Sequence, residues 1–201
     1  MSAAPLRLGL FGGAFDPPHV AHVALARAAL DQLQLDQLRI FPTGQAWHKS
    51  QPLSAPAHRL AMARIAFGDL PRTVVDDREL KRPGPTYTID TLRELKAEQP
   101  QAQLFLLMGQ DQAESITRWR EWESVLALAT LCMAARPAAV ALPSAAPDGL
   151  AQARWRVLQM PVMPESATDV RARVAAGQGI AHLVPAGVAR YIDQHSLYQP
   201  A

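Results

Sequence analysis

His19 and His22 stand three residues apart behind a glycine pair, in the run Gly12-Gly13-Ala14-Phe15-Asp16-Pro17-Pro18-His19-Val20-Ala21-His22. Side chains three apart on a helix share a face, so both imidazoles leave the start of a helix in one direction. Unpaired N–H groups and the helix dipole attract anions there. Two glycines after a strand let the backbone approach a ligand closely. The chemistry this predicts is hydrogen-bond donation to phosphate. A zinc helix fits less well, because HxxH lacks the i,i+4 spacing and the third ligand, and no metal-ligating set is assigned.

A second anion cradle is expected at Ser166 and Thr168, which precede a helix with Arg171 one turn on. Lys49, in a loop expected to be mobile, could close over phosphates or stay solvated. Asp111, just past a buried strand, could bind ribose hydroxyls or cap a helix. Trp119 and Trp122, at i,i+3, read as core. Arg136 follows a strand and serves either phosphate or loop anchoring. His58, His182 and His195 match no motif, and Cys132 reads as an inert core thiol.

The elements that must hold these residues alternate. Leu6–Phe11 reads as a strand ending in the glycine turn, and Val20–Leu33 repeats apolar residues at helical spacing. Leu38–Pro42 is a second strand, 44–56 a loop, Ala57–Phe67 a helix and Thr73–Asp76 a third strand. Arg78–Pro85 reads as a charged loop, after which Thr88 caps a helix running to Glu98. Gln103–Met108 is a nearly continuous apolar run of the kind buried on both faces of a parallel sheet. Trp119–Ala127 reads as helix, Thr130–Ala134 as a buried strand, 137–147 as an Ala/Pro-rich connector and Trp155–Met160 as an edge strand. Helices at Thr168–Ala175 and Pro185–Asp193 follow. Strands alternating with helices imply an α/β fold with a doubly wound parallel sheet, in one domain spanning 1–201 with a short C-terminal helical part at about 166–201. Ligands of such sheets bind beyond the carboxyl ends of the strands, where Gly12-Gly13, Gly109 and Arg136 all fall.

Composition narrows the function. The 201 residues are 49% hydrophobic and 19% charged, as in globular rather than disordered chains. One cysteine excludes a disulfide framework, and no apolar run reaches the roughly 18–20 residues of a membrane span. No signal-peptide pattern opens the chain, so a cytoplasmic protein is expected. Seventeen of the 20 basic residues are arginine and the formal net charge is only +2. Without a basic run, small anionic ligands fit better than nucleic acid or a membrane. Oligomeric state is left open.

The run Gly-Gly-x-Phe-Asp-Pro-x-His-x-x-His resembles the signature of the nucleotidyltransferase superfamily related to class I aminoacyl-tRNA synthetases. More closely, the chain is similar to bacterial nicotinate-nucleotide adenylyltransferases from Leu8 to Tyr198. Further segments in family order are His48-Lys49, Arg78-Glu79-Leu80-Lys81-Arg82, Pro85-Thr86-Tyr87-Thr88, Gly109-Gln110-Asp111, Trp119, Arg136-Pro137 and Ser166-Ala167-Thr168-Asp169-Val170-Arg171. The resemblance implies a Rossmann-like nucleotidyltransferase fold that joins nicotinate mononucleotide to ATP, with Mg²⁺. It implies ATP contacts at Gly12, Gly13, Phe15, His19, His22, Gly109, Asp111, Ser166, Thr168 and Arg171. Pyridine-nucleotide contacts fall on Lys49, Thr86, Tyr87, Thr88, Trp119 and Arg136, with Trp119 stacking on the ring while Trp122 stays in the core. His19, His22, Lys49 and Arg171 carry the catalytic roles, and backbone N–H groups near Thr86-Tyr87 and Trp119 receive the nicotinate carboxylate. The chain departs from the pattern at Ala21 (usually glycine), Ala46-Trp47 (often prolines) and Ala167 (often serine). Phosphopantetheine adenylyltransferases share the early motif but need no aromatic platform, and a nucleotide-binding sensor would not require His19, His22 and Arg171 together. A full class I synthetase does not fit in this length.

Overall fold

The computed structural model describes residues 4–45, 53–135 and 153–200. Six strands form one parallel sheet: β1 (Arg7–Gly13), β2 (Gln37–Pro42), β3 (Thr73–Val75), β4 (Gln103–Met108), β5 (Ala129–Ala135) and β6 (Trp155–Gln159), in the order β3-β2-β1-β4-β5-β6. The helices are α1 (Val20–Gln32), α2 (Pro56–Phe67), α3 (Arg78–Lys81), α4 (Thr88–Glu98), α5 (Gln110–Glu114), α6 (Trp122–Leu128), α7 (Ala167–Ala175) and α8 (Ala186–Gln194).

Period-two side-chain direction divides the core into two layers. Leu8 and Leu10 of β1 join Leu104, Leu106 and Met108 of β4 under α4 and α6. Phe11 of β1, with Phe105 and Leu107 of β4, faces the opposite way into the layer under α1, α2 and α8. Both faces of the sheet are therefore covered, as its apolar strands require. The C-terminal helical part docks on the α1/α2 side through Val170, Ile180, Val184, Val188 and Ile192. Among the described residues no helix is long and apolar enough to cross a membrane.

The doubly wound sheet matches expectation, and four local readings change. Arg78–Lys81 is a helical turn inside the segment expected as a loop, because Asp76 accepts from both the backbone and the guanidinium of Arg78. α5 and a 3-10 turn at Ile116–Arg118 were not foreseen; both are too short for a periodic signal. The helix expected from Trp119 begins at Trp122, since Glu121 lies in the left-handed region at φ 50° and breaks the run. Thr88 is the first helical residue of α4 rather than its cap, because the extended stretch that Gln45 holds at Thr86 continues through Tyr87. The expected loop at 44–56 and the connector at 137–147 are described only in part or not at all.

Candidate active site

Strand order reverses between β1 and β4, which places a crevice at their carboxyl ends. β1 ends in Gly12-Gly13 and β4 runs into Gly109, so both glycine segments reach the crevice. The two glycines of β1 differ in their reason. A Cβ on Gly12 would project into open space, whereas one on Gly13 would press on the Phe15 ring at 3.0 Å. Gly12 thus leaves room for a ligand, and Gly13 leaves room for Phe15. Phe15 adopts φ 47° and sits edge-on to Phe11, Phe67 and His22.

A cavity of about 410 Å³ opens here. Gly12, Gly13, Phe15, His19 and His22 line one side, Gly109 and Asp111 another, and Ser166 at the start of α7 a third. His19 is the N-cap of α1, and its ring lies 3.7 Å from that of His22. The His19 backbone N–H donates to Nδ1 of His22 at 3.2 Å, which leaves Nε2 of His22 to carry the ring proton. His19 is 8% exposed, and burial lowers its pKa to about 4. It is therefore a neutral imidazole near pH 7. Ser166 caps α7 by accepting from the Asp169 N–H at 3.1 Å. Thr168 and Arg171 are not among the cavity's lining residues. Arg171 donates to the Asp16 carbonyl at 2.8 Å and to Thr168 Oγ1 at 3.3 Å, so it grips the loop that leads into the histidines.

A second cavity, of about 140 Å³, is lined by Thr86, Tyr87, Thr88 and Trp119, together with Glu79 and Arg120. It shares Gly12, Gly13, Ala14 and Gln112 with the first. Trp119 lines this cavity, and Trp122 packs against the α4/α6 core layer without lining it. The amides proposed to receive a carboxylate are partly spent: Thr86 N–H donates to Gln45 O at 3.1 Å and Trp119 N–H to Ile116 O at 2.9 Å. Thr86 Oγ1 is buried without a partner among the described residues, and the Arg120 guanidinium lies 4.7 Å over the Tyr87 ring.

Three buried polar residues at the site carry no role in the sequence analysis. Arg59, 1% exposed, donates to the carbonyls of Ser54 (3.1 Å), Ala14 (3.0 Å) and Thr43 (2.7 Å), tying together the loops after β1 and β2. Its place on the face of α2 shared by Met62, Ala63 and Ala66 was the available signal. Asp16 takes hydrogen bonds from the Ser54 N–H and the Tyr198 hydroxyl. Glu79 is 5% exposed and accepts from Thr91 Oγ1 at 2.7 Å, and burial pushes its carboxyl up to about 7. Cys132 is fully buried and burial raises its thiol to about 12, so it is inert as expected. Lys49 and Arg136 lie outside the described residues. Among the described residues no three His, Cys, Asp or Glu side chains are grouped to hold a metal; a divalent ion carried on ATP phosphates and water needs no such group.

Residues 10–173 match the cytidylyltransferase-like family. A nicotinate-nucleotide adenylyltransferase of Albidiferax ferrireducens is 53% identical over 97% of this chain and 99% of its own length. One of Bordetella petrii is 43% identical over 96% and 99%. A solved structure of Plasmodium falciparum nicotinic acid mononucleotide adenylyltransferase complexed with NaAD superposes with a TM-score of 0.77 over 96% of this chain and 97% of its own, at 19% identity. The same enzyme complexed with APC gives 0.76, at 18% identity and the same coverage.

Proposed function

The chain belongs to the nicotinate-nucleotide adenylyltransferases, a nucleotidyltransferase group within the cytidylyltransferase-like family, and we propose that it joins nicotinate mononucleotide to the adenylyl group of ATP, giving deamido-NAD and pyrophosphate. The observation that carries the reading is the pair of cavities meeting at Gly12, Gly13, Ala14 and Gln112. Two substrates seated there bring their phosphates together over the glycine turn.

The larger cavity takes ATP and the smaller the pyridine nucleotide. A phosphate oxygen of nicotinate mononucleotide forms a bond to the α-phosphorus of ATP, and the bond from that phosphorus to the bridging oxygen of pyrophosphate breaks. The nucleophile is already an anion near neutral pH, so no general base is needed. The protein's task is alignment of two like-charged groups and relief of charge on the leaving pyrophosphate. His22 Nε2–H and the neutral His19 ring supply donors, and the N-termini of α1 and α7 supply oriented dipoles. Arg171 holds the loop that leads into both histidines, and Lys49 contributes a positive charge for the phosphates. Asp111 is a carboxylate of the same cavity that would hold the water shell of a Mg²⁺ carried by ATP, an ion that would screen the phosphates. In the smaller cavity Trp119 is the platform for the pyridine ring. Because two of the nearby amides are spent, Thr86 Oγ1 and the Arg120 guanidinium are the donors we assign to the ring carboxylate.

Pyrophosphate release with ATP and Mg²⁺ tests this, with nicotinate mononucleotide, nicotinamide mononucleotide and phosphopantetheine compared as acceptors. Turnover chiefly with the nicotinate form is expected. Turnover only with phosphopantetheine, or with none of the three, would overturn it.

A further inference from the structure

One polar atom of the ATP-side cavity has no part in the scheme above. Glu165 lines that cavity, and its Oε2 is shut off from solvent with no hydrogen-bond partner among the described residues. Buried polar atoms are almost always paired, so a solitary acceptor on a cavity wall points to a donor that arrives with the occupant.

The wall around Glu165 is ordered. Met160, Pro161, Val162 and Met163 supply an apolar stretch, Glu165 follows, and Ser166 then opens α7. Apolar surface, carboxylate and helix N-terminus in that sequence match the base, ribose and phosphates of a nucleotide. An ionised carboxylate only accepts hydrogen bonds and is repelled by a triphosphate, so its partner is a neutral donor on the nucleoside. Adenosine offers the ribose 2′- and 3′-hydroxyls and the 6-amino group.

We propose that Glu165 Oε2 accepts a hydrogen bond from the nucleoside half of ATP, making Glu165 a nucleotide-recognition residue. The inference rests on the assignment of this cavity to ATP. Recognition by this side chain would favour ATP over nucleotides lacking the donor it reads.

The test is titration of the purified protein and its Glu165→Ala and Glu165→Gln variants with a non-hydrolysable ATP analogue, which needs no acceptor substrate. Glu165→Ala is expected to weaken binding about tenfold or more, as loss of a hydrogen bond to a charged group does, and Glu165→Gln to restore most of it. Repeating the titration with 2′-deoxy, 3′-deoxy and 6-amino-lacking forms identifies the donor. The form missing it binds wild type weakly and is indifferent to Glu165→Ala. Equal binding of the ATP analogue by wild type and Glu165→Ala would overturn the inference, as would a loss identical for every form. A defect repaired by raising Mg²⁺ would put the carboxylate on the metal and overturn it too. Failure of wild type to bind the analogue at all would instead overturn the assignment of the cavity to ATP.

Discussion

The backbone N–H of His19 donates to Nδ1 of His22, and this one bond fixes the working tautomer of the second histidine. Nε2 of His22 then carries the ring proton, and His22 lines the cavity together with Gly12 and Gly109. Replacing His22 by alanine is expected to lower kcat roughly 10²–10³-fold, the usual loss on removing one preorganised donor to developing charge. Affinity for the pyridine nucleotide should hold, because its ring sits in the other cavity. Steady-state kinetics with both substrates varied measures this; near-normal turnover would remove His22 from the chemistry.

Trp119 should behave in the opposite way. It lines the smaller cavity and its amide is already bonded to Ile116 O, so what it offers a substrate is the indole face. Trp119→Ala is expected to raise the KM for nicotinate mononucleotide by about tenfold or more, since stacking on an aromatic face contributes roughly 1–3 kcal/mol per base. The KM for ATP should be nearly unchanged. An effect confined to ATP would contradict the division of the two cavities.

Arg59 is a test of stability rather than chemistry. Its guanidinium bonds the carbonyls of Ala14, Thr43 and Ser54, and lies close enough to Asp16 for their charges to interact. Arg59→Met leaves those three carbonyls without their donor, and each buried acceptor so stranded costs about 1–3 kcal/mol. Arg59→Lys keeps the charge but not the fork, and should recover part of that. Urea unfolding of the three proteins reads the difference, and a methionine variant as stable as wild type would deny Arg59 its bracing role.

Much of this was legible in the sequence because it was written in period and punctuation. The strand periods of Leu8–Leu10 and Leu104–Met108, and the glycines that end β1 and follow β4, announce a doubly wound sheet and the edge where it binds. The order Gly12 to His22 announces the phosphate site. What stayed hidden has short range or no period. A four-residue helix at Arg78 comes from one carboxylate, Asp76, meeting a backbone and a side chain of the same residue. Glu121 carries a left-handed backbone that no composition rule assigns to glutamate, and it moves a helix start by three residues. Arg59 and Glu79 look like solvated charges in a linear string. Only the packing of distant segments shows them to be buried, and burial is what gives each its chemistry.

Glu79 gives the prediction in which sign matters most. Burial pushes its carboxyl up to about 7, against the Thr91 hydroxyl and the Arg82 charge, both of which favour the ionised form. A glutamate in the unfolded chain titrates near the ordinary value of 4.5. Between pH 4.5 and 7 the unfolded chain has therefore released a proton that the folded chain still holds, and folding stability falls as pH rises through that window. At about 1.4 kcal/mol per unit of separation, the loss is on the order of 3 kcal/mol, complete above pH 7. His19 works the other way: with its pKa lowered to about 4, the unfolded chain binds the extra proton below about 6.5, so this term makes stability rise with pH between 4 and 6.5. The two slopes oppose each other in the wild-type curve, and only a difference between proteins separates them. Glu79→Gln removes the charge and keeps an oxygen to accept from Thr91, leaving His19 untouched. It should match wild type near pH 4.5 and exceed it by about 3 kcal/mol at pH 8, as read by urea unfolding at both. A variant no more stable than wild type at pH 8 would mean that Glu79 ionises in the fold without penalty.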